Sequence, residues 1–285
     1  MPSWCTSGES FEGGLGLGDD ALDELIGTWQ IADDADHLAG GQDPAQWVVD
    51  FKSHPVDVLT GTSTHSTLDM AGDLGPLIQV TAKVDISVGG FLSLSGNLGF
   101  QKSTQKLTLD DGSTVTSDTI TIGGSDLSAF AGIGGNSAHP IGLKLSGVNF
   151  GLVIAAPTQQ SSSGDYTRIA LEADAASAQA VGLPSDFSIA VTNIGVSINL
   201  ADRATGHVID FTKSNVKVLT GTNMYRQLTM AGSLHQQVSV SFNLHLVLGD
   251  YIYVDGSASF EKHSSVMQLA DGTQVSVDAL TFGAA

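Results

Sequence analysis

Cysteine occurs once, at Cys5, so no internal disulfide can form and a disulfide scaffold is excluded. Basic residues are scarce, with 11 Lys and Arg against 30 Asp and Glu. The resulting formal charge of −19 would repel a phosphate backbone, which excludes nucleic acid as a partner. No apolar run approaches the eighteen or so residues that span a bilayer as a helix, so insertion in a membrane is not expected. Basic residues are missing from the first positions, and Glu9, Glu12, Asp19 and Asp20 interrupt any apolar stretch there, so the N-terminus does not read as a signal peptide. What remains is an ordered composition, 41% hydrophobic with 34 glycines in 285 residues, whose polar part is mainly Ser, Thr, Asn and Asp. That balance fits an extracellular or cell-surface bacterial polypeptide that avoids disulfides.

A search for internal similarity finds two copies of one unit. Val48-Val49-Asp50-Phe51 returns as Val208-Ile209-Asp210-Phe211, and Val58-Leu59-Thr60-Gly61-Thr62 returns as Val218-Leu219-Thr220-Gly221-Thr222. The offset, 208 − 48 = 160, also carries Met70-Ala71-Gly72 onto Met230-Ala231-Gly232, Phe100 onto Phe260, and Asp111-Gly112 onto Asp271-Gly272, without a gap from Val48 to Gly123. The chain divides on this reading into an N-terminal segment (1–47), copy 1 (48–123), a spacer (124–207) and copy 2 (208–285). Copy 1 runs on past Gly123 into Gly124-Ser125-Asp126-Leu127, whereas copy 2 stops soon after Gly283, so the sequence reads as a piece of a longer array.

Within each copy the hydrophobic period is two. Ile78, Val80, Ala82, Val84, Ile86 and Val88 alternate with polar residues, and Val238, Val240, Phe242, Leu244, Leu246 and Leu248 take the matching places. This is the pattern of strands with one buried face. Gly89 marks either a bulge in one long strand or a turn between two. Asp111-Gly112 and Asp271-Gly272 read as tight hairpin turns. In the spacer, Ile141 to Ile154, Tyr166 to Leu171 and Phe187 to Leu200 continue the strand pattern, with a loop from Pro157 to Gly164. The expected fold is all-β and antiparallel, as two sandwich-like units or one elongated stacked sheet. Leu22, Leu25, Ile26 and Trp29 add one short amphipathic helix near the N-terminus.

The run Ile141-Gly142-Leu143-Lys144-Leu145-Ser146-Gly147-Val148-Asn149-Phe150-Gly151-Leu152, followed by Ile189-Ala190-Val191, Val196-Ser197-Ile198-Asn199, Val208-Ile209-Asp210-Phe211-Thr212 and Gly256 to Lys262, resembles the long repeats of giant bacterial extracellular, adhesin-like proteins. The resemblance covers most of 48–283. It implies a modular extracellular role, with neighbouring repeats as partners, and assigns no catalytic residue.

Carboxylates are the natural candidates for chemistry. Asp33, Asp34 and Asp36, with Asp43 nearby, form the densest acidic stretch. A calcium loop of the EF-hand type starting at Asp34 would need glycine where Ala39 stands, which leaves an irregular calcium site or a solvated loop. Asp111 and Asp118, repeated as Asp271 and Asp278, are further calcium candidates or turn formers. Calcium filling such sites would raise the melting temperature above that in chelator. Tyr251 and Tyr253 alternate along one expected strand and, with Tyr225, Asp250 and Asp255, form a candidate surface for carbohydrate or extracellular matrix. Eight histidines show no ligand spacing, and no Gly-x-Ser-x-Gly motif occurs. A structural or adhesive module is therefore the leading expectation. The alternative is a glycosidase with paired carboxylates.

Overall fold

The computed structural model describes residues 48–72, 75–135, 137–158, 166–203 and 206–285. The helix expected over 22–29, Cys5, and the acidic candidates Asp33, Asp34 and Asp36 lie outside them. The described chain is all-β. Its strands are β1 (Val56–Leu59), β2 (His65–Leu68), β3 (Leu77–Val88), β4 (Leu92–Thr108), β5 (Thr114–Ile133), β6 (Ile141–Pro157), β7 (Arg168–Val181), β8 (Phe187–Ala201), β9 (Lys217–Gly221), β10 (Met224–Gln227), β11 (Gln237–Leu248), β12 (Ile252–Gln268) and β13 (Gln274–Ala284). Nine of them form one antiparallel sheet in the order β13-β12-β11-β8-β7-β6-β5-β4-β3, so the elongated sheet replaces the two sandwich-like units. Two small hairpins, β1-β2 and β9-β10, stand outside it.

Local chemistry sets the corners. At Gly89-Gly90, φ angles of 55° and 72° turn β3 directly into β4, resolving the choice in favour of a turn between two strands. Gly112, at φ 83°, does the same between β4 and β5, where the Asp111 carboxylate accepts from the Ser113 backbone N–H at 2.9 Å. β5 runs unbroken through the repeat boundary placed at Gly123, and β7 extends ten residues beyond Leu171 through an Ala-rich stretch with little periodicity.

The meander is interrupted once. Between β8 and β11 the chain leaves the sheet edge, crosses one face as a strap (207–236) carrying β9 and β10, and returns to pair β11 with β8. Beneath the strap lies the core: Leu107, Leu109, Val153, Ala155 and Ala170 from the sheet, and Ile209, Phe211, Val216, Val218, Leu228 and Met230 from the strap. Each fully buried large apolar side chain here contributes on the order of 1.5–3 kcal/mol.

The covered face differs from the one that the alternation predicts. Ser117, Thr119 and Thr121 are buried beneath the strap, whereas the apolar row Val80, Phe100, Ile122, Leu152, Leu171, Ile198 and Val238, which runs from strand to strand on the other face, is at most half-buried. The strap brings its own large side chains, so the sheet below must be small. A Cβ on Gly99 or on Gly123 would sit 2.4 Å from the Leu219 carbonyl oxygen, a distance that backbone cannot accommodate.

Candidate functional site: the strap junction

The strap is fastened at both ends and along its middle. At its start the Tyr166 hydroxyl accepts from the His207 backbone N–H at 2.6 Å, and Arg168 Nε donates to the His207 carbonyl at 2.8 Å. Arg168 is 1% exposed, and its guanidinium lies 4.2 Å from the Tyr166 ring centroid, over the ring face. Leu109 and Ile209 form a single antiparallel bridge, flanked by Asp110 N–H to Val208 O at 3.0 Å and Asp210 N–H to Thr108 O at 2.9 Å. Asn199 Nδ2 donates to the Ile209 carbonyl at 2.8 Å. Along the hairpin, Arg226 pairs with Asp174, and Glu172 Oε2 accepts from the Thr229 N–H at 2.9 Å.

Asp110 joins the two ends. Its carboxylate is 3% exposed and accepts at Oδ1 from His207 Nδ1 at 2.8 Å and at Oδ2 from His235 Nδ1 at 2.7 Å. Asp111 Oδ2 lies 3.5 Å from His207 Nε2, and among the described residues Asp110, Asp111 and His207 are the group whose ligand atoms come within 4.8 Å of one another. With both Asp110 oxygens occupied by imidazoles, the arrangement acts as a latch across the strap's start and end. His235 sits at φ 54°, where copy 1 has Gly75 at 63°, a backbone conformation that costs a non-glycine residue about 1–3 kcal/mol.

A second carboxylate folds the strap on itself. Burial pushes the Asp210 carboxyl up, but the Lys213 ammonium, the Thr212 hydroxyl and the backbone N–H groups of Gly232 and Thr212 outweigh it and hold it at about 2. Lys213 Nζ lies 2.8 Å from Oδ2. In copy 1, Asp50 makes the equivalent contact to Gly72 N–H at 2.9 Å, and its carboxyl is lowered by Ser53 and then Gly72, at the surface.

The acidic candidates that the structure describes serve the backbone and neighbouring strands. Asp111 and Asp271 close their turns on Ser113 and Thr273, and these hydrogen bonds lower both carboxyls. Asp118 accepts from Thr104 Oγ1 at 2.8 Å and Asp278 from Ser264 Oγ at 3.0 Å, each across a strand pair. Of these, Asp111 alone comes near a second ligand type. Tyr251, 93% exposed, lies in the β11-β12 turn rather than on a strand with Tyr253, and Asp250 is beside it. Asp255 accepts from His245 Nδ1 at 2.7 Å. Tyr225 is not with them. It lies on β10, opposite Leu219, whose backbone rests on β4 and β5, and β5 is five strand positions from β12, on the order of 24 Å at about 4.8 Å per strand.

Sequence reasoning missed the latch because its members are distant in sequence and no spacing links them. The repeat offset does carry a signal: Asp110, His207 and His235 correspond to Ala270, Trp47 and Gly75, so all three are private to one junction.

No family model matches this chain, and neither does any curated protein or solved structure. The resemblance to adhesin repeats therefore rests on its residue pattern alone. Among the described residues no helix is long and apolar enough to cross a membrane.

Proposed function

We propose that this chain is a structural or adhesive repeat module of a large secreted or cell-surface protein. The observation that supports this reading is the strap. Copy 2 does not follow copy 1 as a bead on a string: its first thirty residues lie across the sheet that copy 1 and the spacer build, and a latch and a backbone bridge fasten them there. Consecutive repeats thus share one sheet and one core, which suits a stiff spacer better than a catalyst. Tyr251, Tyr253, Asp250 and Asp255 project at a hairpin tip, where such a module would meet carbohydrate or matrix. The hydrolase alternative gains nothing from Asp250 and Asp255, which are exposed at that tip and not enclosed. A screen of chromogenic glycosides and esters tests the proposal. No turnover is expected, and hydrolysis abolished by a single Asp or Ser substitution would overturn it.

A further inference from the structure

The two straps are close copies in sequence and opposites in environment. Val218 and Leu219 are 0% exposed, whereas Val58 and Leu59 are 41% and 63% exposed. Val49, Val56 and Met70 are exposed, and their counterparts Ile209, Val216 and Met230 are buried. The sheet repeats the contrast: Leu107 and Leu109, buried under the strap, correspond to Met267 and Leu269, both 48% exposed on and just beyond β12. Among the described residues the chain therefore carries one filled strap-on-sheet junction and, at opposite ends of its sheet, the two exposed halves of another.

We infer that these halves bind each other between two copies of this chain, the strap of one (48–72) seating on the β12-β13 face of the next. Three features of the molecule favour that occupant. First, an open hollow of about 440 Å³ lies on β11-β12-β13, lined by Ser241, Ser257, Ser259, Gly283 and Ala285. These are the counterparts of Thr81, Asn97, Gly99, Gly123 and Ser125, and in the filled junction that ground is occupied by Leu219 to Thr222, with Ser125 Oγ donating to Thr220 O and the Thr81 and Thr222 hydroxyls 3.1 Å apart. Second, a smaller hollow on the free strap is lined by Val48, Val49, Phe51 and Met70, whose counterparts pack on or bridge to Leu107 and Leu109.

Third, the charges are matched. The latch places Asp110 on the sheet and both histidines on the strap. At the exposed halves the sheet has Ala270 and the strap has Gly75, and Glu261, which stands on the β12 face where Gln101 stands on β4, lies 3.5 Å from His263 Nδ1, so docking buries no unpaired carboxylate. The strap cation that pairs with the sheet behaves alike. Arg226, which pairs with Asp174 on β7, is replaced by Ser66, and the β12-β13 face holds the counterparts of β4 and β5 only. Three residues oppose the fit: Ser259 stands where Gly99 admits the Leu219 carbonyl, and Glu261 and His263 stand where the smaller or uncharged Gln101 and Ser103 do, so the free strap seats less closely than the internal one. Because the two surfaces differ, the contact is head-to-tail and open-ended.

This inference rests on the repeat-module reading, but a failure to associate would leave that reading standing, since the substrate screen is independent of it. Sedimentation velocity of the full chain from about 1 to 200 µM, the range in which a small interface would act, should show mass growing with concentration. Val58→Asp with Leu59→Asp on the strap, and Met267→Asp with Leu269→Asp on the sheet, should each give monomers with an unchanged melting temperature, since all four positions are exposed. Mixed one to one, the two variants should form a dimer that grows no further, because each retains the half the other has lost. Ser259→Gly, which adds no charge, should tighten association by about tenfold. A wild-type chain that stays monomeric throughout overturns the inference. So does association that survives both double variants, which would place the contact on the opposite apolar face of the sheet, and so does a Ser259→Gly chain that binds no more tightly.

Discussion

The same 25-residue motif appears twice in this molecule, once as core and once as surface. In copy 2 the strap's Val-Leu-Thr-Gly-Thr lies over glycines and small hydroxyl residues of β4 and β5. In copy 1 the identical five residues run from β1 into the turn of the hairpin β1-β2, which is exposed. Hairpin formation is therefore local, set by the strap's own sequence, while burial depends on what is brought beneath it. Side chains that look like a core in the sequence become one only where a sheet with the right glycines is present.

The largest separation between the copies should come from those glycines. Gly123→Val forces a branched side chain into the Leu219 backbone and should lift the strap, destabilising the fold by more than about 4 kcal/mol. Gly283→Val, at the matching position, has Ser259 Oγ as its nearest neighbour and should fall within about 1 kcal/mol of wild type. Urea unfolding of the two variants measures the difference. Leu219→Ala comes next: it empties a fully buried site, at a cost of about 2–5 kcal/mol, whereas Leu59→Ala should cost under about 0.5 kcal/mol. Equal losses at the two leucines would mean that the free strap is already covered.

The smallest effect is electrostatic and depends on pH. Asp210 titrates at about 2 in the folded chain and near 3.9 in the unfolded one, so the stability it supplies is complete above about pH 4 and disappears as the pH falls toward 2. Asp210→Asn should thus cost on the order of 2 kcal/mol at pH 7 and little at pH 2. Asp50→Asn removes an exposed, solvent-screened counterpart and should show a smaller and flatter pH dependence. Melting curves of both variants across this pH range make the comparison.

Much of this was legible beforehand, for physical reasons. Period-two alternation and Asp-Gly turns report on backbone geometry within a few residues, so β3, β4, β11, β12 and their hairpins follow directly. The 160-residue offset marks the two straps as equivalent. Which face is buried does not follow, because alternation says that two faces differ but not what covers either. Ser117, Thr119 and Thr121 are polar and nevertheless buried, because a segment about a hundred residues later lies over them. The latch failed to show for the same reason. Asp110 adjoins a turn carboxylate in the sequence, and its partner His235 comes from a segment 125 residues away, so no local spacing links the two. Tyr225 was grouped with Tyr251 and Tyr253 because they share a copy, yet the strap carries it to a different part of the sheet.

Hydrogen–deuterium exchange at low micromolar concentration, where association between copies is negligible, compares the two straps within one chain. Amides of Val216 to Gly221 should be protected as well as those of β4 and β5, and the identical or near-identical segment Val56 to Gly61 should exchange faster by orders of magnitude. Equal protection in the two segments would contradict the account, for it would mean that seating on copy 1's sheet does not distinguish the second strap from the first.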